Sequence, residues 1–191
     1  PAMRNPQIRD AAASVGGVDF QWTRNAGEGR AMNSATDTRA VTVAAQWTAG
    51  RDIHVLELAA EDGRALPDAE AGAHIDLHLP NGLVRQYSLM EPGPAPDRYR
   101  IGVLRDADSR GGSACVAEEV GEGDRLSITG PRNHFALDET AEDYVLVAGG
   151  IGITPLVAMA RRLAGLERPV QLHYLVRERE RAAFVDELEG V

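Results

Sequence analysis

A single cysteine, Cys115, stands in a chain of 191 residues. That scarcity excludes an internal disulfide. It also excludes an iron-sulfur cluster held by these residues alone, because a plant-type centre takes four thiolates. Long apolar runs are missing too, and no stretch approaches the roughly 18 to 20 residues a membrane helix needs. The first residues do not pass from charged to apolar to small, the order of a secretory signal. Acidic residues number 29 against 20 basic, for a formal net charge of -9. Without clustered basic side chains, a surface that tracks nucleic-acid phosphates is not expected. What is present is 43% apolar content, enough to bury a real core in one or two domains. A cytoplasmic protein with neither membrane nor nucleic acid as partner is the expectation.

Residues 1–38 hold Gly, Asn, Arg, Ser and Thr without sustained periodicity, and their one apolar patch, Val18-Asp19-Phe20-Gln21-Trp22, is short. They read as a flexible N-terminal extension, with Met32 a candidate natural start. From 39 to 138 strand patterns dominate: 41–43, 53–58, 75–79, 84–89, 99–104 and 125–128, punctuated by Asn81-Gly82 and Pro92-Gly93-Pro94. Short strands at this spacing predict an antiparallel β-barrel or sandwich, interrupted by one helix over 113–120. Over 139–191 the pattern changes. Tyr144 to Ala148 reads as a buried strand, a helix follows to about Ala164, and Val170 to Val176 reads as a second buried strand. Pro155 fits the first turn of that helix, and 179–188 reads as the next helix. An open parallel sheet needs more strands than two, so this α/β domain is expected to be truncated.

Four motifs carry chemistry. Gly149-Gly150-x-Gly152-x-Thr154-Pro155 follows a strand and opens a helix, where glycines allow close backbone approach to a pyrophosphate and free N–H groups face it. It is not the Gly-x-Gly-x-x-Gly fingerprint, and by itself it reads equally well as a tight connection. In Arg85-Gln86-Tyr87-Ser88-Leu89, alternation puts Arg85, Tyr87 and Leu89 on one face and Gln86 and Ser88 on the other. Gly111-Gly112-Ser113, after Ser109-Arg110, makes a phosphate seat with Ser113 as N-cap, or else a plain capped loop. Gly130-Pro131-Arg132-Asn133-His134-Phe135 follows a strand and reads as a turn.

In this order and company, the motifs resemble those of the phthalate dioxygenase reductase family within the ferredoxin-NADP reductase superfamily. The resemblance spans about residues 39–191 and includes Leu172-His173-Tyr174 and Arg181-Ala182-Ala183-Phe184. It implies an antiparallel flavin-binding barrel over 39–138 and the first part of an α/β NAD-binding domain over 139–191. In complete members a C-terminal plant-type 2Fe-2S ferredoxin domain follows. The implied activity takes hydride from NADH onto FMN, with FAD the alternative, and passes single electrons to a ferredoxin centre and a Rieske-type terminal oxygenase. Carried over residue by residue, Arg85 contacts the flavin phosphate, Tyr87 packs on the flavin ring and Ser88 hydrogen-bonds it, with Gln86 beside them. Gly111, Gly112 and Ser113 donate to the phosphate. Gly149, Gly150, Gly152, Thr154 and Pro155 match the dinucleotide turn, with Thr154 nearest the reacting ring. Ser88 and Thr154 are thus the residues expected at the chemistry. Arg177 could pair with a 2'-phosphate, but Glu178 and Glu180 would repel one, which favours NADH. A small hydroxyl residue is commoner in the family where Glu178 stands.

A rival class is a flavin-binding electron carrier or regulatory module without a productive dinucleotide site. Two further features read more plainly. His74-x-Asp76-x-His78 resembles a metal-ligand row, yet Ile75, Leu77 and Leu79 between them explain it as the polar face of a half-buried strand. Cys115 near a helix start reads as a small packed side chain before it reads as a redox thiol.

Overall fold

Alternating apolar residues draw the first two thirds of the described chain into strands. The computed structural model describes residues 38–189. Its β-strands are β1 (Thr38–Thr48), β2 (Ile53–Ala60), β3 (Ala73–His78), β4 (Val84–Ser88), β5 (Arg98–Leu104) and β6 (Arg125–Asn133), with the helix α1 (Gly112–Glu118) between β5 and β6. All six pair antiparallel in the order β4-β3-β6-β1-β2-β5. A bridge between Leu89 and Ile101 joins the two ends, and the Met90 N–H donates to the Arg100 carbonyl at 2.9 Å. The sheet is therefore a closed barrel with no long free edge. Val41, Val43, Leu56, Leu58, Ile75, Leu77, Leu89 and Ile101 are each fully buried inside it. Burial of each such side chain stabilises by about 1.5–3 kcal/mol. Tyr99 is buried with them because its hydroxyl donates to the Pro67 carbonyl at 2.5 Å.

The remainder is a strand-helix-strand segment. The strand β7 (Tyr144–Gly149) leads through a 3-10 turn at Gly150–Gly152 into α2 (Ile153–Gly165), and β8 (Val170–Leu175) returns parallel to β7. Helix α3 (Val185–Leu188) follows. Ile153, Leu156, Val157, Ala160 and Leu163 of α2 share a core with Ile53, Val55 and Met90 of the barrel. This is the barrel plus α/β arrangement expected from the sequence. No helix among the described residues is long and apolar enough to cross a membrane.

Several local expectations are corrected. The motif at 130–133 does not turn: β6 runs through it, pairing Arg132 with His74 and Asn133 with Ala73 across a register shift. Ser113 is not an N-cap, since Gly111 holds that position at φ 93° with no side-chain cap. The helix expected over 179–188 breaks into a 3-10 turn at Arg179–Arg181 and α3, because Phe184 adopts φ 64° and turns its ring into the core. Nor are β7 and β8 buried on both faces. Val145, Val147 and Leu175 remain about 60% exposed, since α2 covers only one side. The expected extension lies outside the described residues, except for Thr38, which opens β1.

The polar row on β3 lies on the face away from the barrel core and is partly buried. Ile75, Leu77 and Leu79 are buried, while Asp76 pairs with Arg132 and the His78 ring nitrogen Nε2 meets the Thr129 hydroxyl at 2.8 Å. Cys115 is 1% exposed within the barrel core, and burial raises its thiol pKa, so it is held as a packed thiol.

Four charges tie α2 and α3 to the barrel. Arg100 of β5 bonds Glu91 at 2.8 Å and Glu187 at 2.6 Å, and Arg161 of α2 bonds the same two carboxylates at 2.9 and 2.6 Å. Burial pushes the Glu91 carboxyl up, but the two guanidiniums outweigh it and hold Glu91 below its ordinary range. A depressed folded value means that the carboxylate stabilises the fold above the unfolded value. That contribution drops away as pH falls through the ordinary glutamate value of about 4.3 towards the folded one. Melting temperatures measured across the acid range should therefore decline less steeply in Glu91→Gln than in the wild type. Equal slopes would contradict the pairing.

Candidate functional site

The ends of β4 and β5, the loop before α1 and the glycine turn before α2 meet at one cleft of about 540 Å³. Its floor comes from the antiparallel register of β3 and β4, which sets Tyr87 opposite Ile75 and Arg85 opposite Leu77. Tyr87 packs half-buried on the barrel core, and burial pushes its hydroxyl pKa up to about 12 against the pull of Arg85. Ser88, the last residue of β4, lines the cleft beside it.

One end of the cleft gathers two guanidiniums and a serine hydroxyl. Arg85 and Arg110 both line it. A Cβ at Gly112 would sit 2.7 Å from Arg85 Nε and 2.9 Å from its Cγ, so only glycine lets the arginine lie across the loop. Asn81, in the turn between β3 and β4, donates to the Gly111 carbonyl at 3.0 Å and pins the loop to the barrel. The Asp106 N–H donates to Ser113 Oγ at 3.1 Å, which leaves the serine O–H free as a donor. Arg105 steadies the approach through Glu118 at 2.8 Å and the Asp106 carbonyl at 2.6 Å.

The opposite wall is the turn Ile151-Gly152-Ile153-Thr154-Pro155. Thr154 is 6% exposed, and its hydroxyl donates back to the Ile151 carbonyl at 3.1 Å, locking the turn. Its methyl faces Gly102 of β5, where a Cβ would stand 2.9 Å from Thr154 Cγ2 and 3.3 Å from Phe184 Cζ. A glycine on the barrel thus lets the two walls approach.

Of the residues singled out in the sequence, Arg85, Gln86, Tyr87, Ser88, Ser113, Gly152, Thr154 and Pro155 line the cleft together. Gly111 and Gly112 shape the loop behind it, and Gly149 and Gly150 lead into its far wall. Arg177 does not line it. Glu178 is paired with Arg51 and Asp52 with Arg181, so the segment after β8 is fastened to the turn between β1 and β2. Gly102, Asp106 and Asp108 also line the cleft and were not singled out. Asp106 was legible beside the Gly-Gly-Ser motif. Gly102 was not, because its reason is a neighbour 52 residues away in the chain.

No protein-family model matches the chain. Curated relatives do. The vanillate O-demethylase oxidoreductase of Pseudomonas sp. (strain HR199 / DSM 7063) is 50% identical over 149 residues, 78% of this chain and 47% of that protein. The phthalate dioxygenase reductase of Burkholderia cepacia is 45% identical over 148 residues, 76% of this chain and 46% of that protein. A solved phthalate dioxygenase reductase, described as a modular structure for electron transfer from pyridine nucleotides to [2Fe-2S], matches with a TM-score of 0.76 and 43% identity. It is covered over 47% of its length by 79% of this chain. The chain belongs to the phthalate dioxygenase reductase-like family. It spans about half the length of the curated relatives it matches. The barrel and β7-α2-β8 segment of this family member accordingly have the ferredoxin reductase-like architecture.

Proposed function

We propose that this chain is the flavin-binding and dinucleotide-receiving part of an NADH-dependent flavin oxidoreductase, the reductase component of a Rieske-type oxygenase system. The observation that carries the reading is the meeting, in one cleft, of the anion seat at Arg85, Arg110 and Ser113 with the glycine turn that ends at Thr154. Residues 39–138 would hold the flavin and 139–191 would begin the dinucleotide domain. The cleft volume falls within the roughly 300–1,000 Å³ of small-molecule sites. FMN is favoured over FAD: one phosphate would meet Arg85, Arg110 and the Ser113 O–H, and among the described residues the cleft lining offers no further basic side chain for a second.

When bound, a flavin supplies two-electron acceptance from a hydride donor and release of single electrons. The chain's own contribution is positioning. Arg85 and Ser113 fix the phosphate end, Tyr87 offers a flat apolar face, and Ser88 offers a hydroxyl at the ring. Gly149, Gly150 and Gly152 would let a pyrophosphate approach the backbone at the start of α2, and locked Thr154 would shape the wall against which a nicotinamide lies. Glu180 after β8 would favour NADH over a dinucleotide carrying an extra phosphate, while the charge of Glu178 is already matched by Arg51. The onward acceptor is proposed to be a 2Fe-2S ferredoxin domain or protein, then the oxygenase, all in the cytoplasm.

Anaerobic addition of NADH and of NADPH to FMN-loaded protein tests the reading. NADH should bleach the visible flavin bands and NADPH should do so far more slowly. A flavin that ignores both would favour an electron carrier without a productive dinucleotide site.

Gly102→Ala gives a sharper expectation. Its methyl would press on Thr154 and Phe184 and move the wall by tenths of an ångström. Bleaching by NADH should slow about tenfold, with stability lowered by about 1–3 kcal/mol. FMN affinity should fall far less than the bleaching rate, since the added methyl meets Thr154 and Phe184 and not the basic side chains. Stopped-flow spectra and flavin titration read the two quantities separately.

A further inference from the structure

The chain has no lysine, and all 20 of its basic side chains are arginines. Where one cation must hold two carboxylates at once, the planar five-donor fork of arginine serves and a point charge does not. Arg100 and Arg161 are each used this way, and together with Glu91 and Glu187 they close a ring of four hydrogen-bonded ion pairs.

The ring's members do not line the cleft, but they lie on elements that supply both of its walls. Glu91 follows Ser88 by three residues, and Arg100 lies on β5 two residues before Gly102. Arg161 lies two turns along α2 from Thr154, and Glu187 lies in α3 just after Phe184. Arg100 is the hub. Its side chain is 12% exposed, its Cζ lies 5.0 Å from the Trp47 ring centroid and 6.0 Å from that of Phe184, and desolvation there is outweighed by Glu187 and Glu91, which raise its pKa. Exposed ion pairs contribute little to stability. A ring around a nearly buried guanidinium is different, because removing one member leaves its partners desolvated and short of a bond.

We propose that Glu91, Arg100, Arg161 and Glu187 are positioning residues that hold the turn at 149–155 at a set gap from the ends of β4 and β5. The proposal rests on the reductase reading of the cleft, and its four residues are not among those that line it. The ring joins β5 to α2 next to the Gly102 to Thr154 contact, so opening it lets the far wall tilt away, while the anion seat, held by Asn81 to Gly111 and by the Asp106 N–H to Ser113 Oγ bond, keeps its geometry.

The test uses Glu187→Gln, Arg161→Gln and the double variant, each partly exposed and close in volume to the native side chain. In flavin-free protein, amide hydrogen exchange over 150–161 should quicken about tenfold in either single variant while β1 to β3 stay unchanged. The double variant should be no faster than the singles, because all three open the same ring. In the natural full-length protein loaded with FMN, the limiting rate of bleaching by NADH should fall about tenfold. Half-saturating NADH and FMN affinity should hold within about threefold, as binding contacts are untouched. Unchanged exchange, or additive effects in the double variant, would overturn the proposal. So would faster exchange without slower bleaching, which would reduce the ring to a brace. If NADH never bleaches even the parent protein, the reductase reading fails by itself, and the exchange comparison alone decides whether the ring holds the turn.

Discussion

Gly72→Ala should lower the melting temperature by about 10 °C or leave the protein unfolded. Gly72 lies just before β3 at φ +93°, and a Cβ there would stand 1.8 Å from the Phe135 carbonyl oxygen and 2.8 Å from its carbon. Those atoms are backbone and belong to the chain leaving β6, which is held by the Ala73 to Asn133 pairing and by the Asn133 amide donating to the Ala71 carbonyl at 3.0 Å. Neither strand can retreat without breaking the ladder. Overlap and left-handed backbone together should cost at least about 3 kcal/mol. Gly82→Ala is the control: φ is +79°, but nothing lies within 4 Å of its Cβ. Only the backbone cost of about 1 kcal/mol should appear there. Thermal melts of the two variants separate steric overlap from backbone preference, and equal losses would show that the close approach is not what demands glycine.

Arg85→Gln should weaken FMN binding at least about a hundredfold while leaving riboflavin binding nearly unchanged. Two charge-assisted hydrogen bonds to a phosphate contribute about 1.5–3 kcal/mol each, and tenfold corresponds to about 1.4 kcal/mol. The fold should tolerate the change. Among the described residues the Arg85 side chain hydrogen-bonds only the adjacent Val84 carbonyl, and its stem crosses a glycine that demands no partner. Flavin fluorescence titrations measure both constants. A parallel loss for riboflavin would mean that Arg85 supports the cleft in general and not the phosphate.

Much of this was legible in the sequence because it is local. The alternation Ile75, Leu77, Leu79 dictates which face of β3 is buried, and Arg85-Gln86-Tyr87-Ser88 inherits its faces from that register. The strand-turn-helix around Gly149 to Pro155 is equally local, since helical periodicity and an early proline mark its start. What escaped depends on distant partners. The motif at 130–133 reads as a turn until β3 pairs with it, and Phe184 interrupts the helix expected over 179–188 with its ring packed beside Gly102. The ion ring joins Glu91 to Glu187 across 96 positions and has no periodic signature. Tyr144 to Ala148 read as buried because apolar runs signal two covered faces, yet Val145 and Val147 face outward among the described residues.

The measurement that bears most directly on the cleft is titration of flavin-free protein with FMN, and with FAD in parallel, followed by visible absorbance and flavin fluorescence. The site described here predicts one FMN bound per chain, more tightly than FAD, with binding abolished or greatly weakened when Gly112 is replaced by valine, whose side chain would occupy the path of Arg85. Protein that takes up neither flavin, or binds FMN equally well with valine at that position, would contradict it.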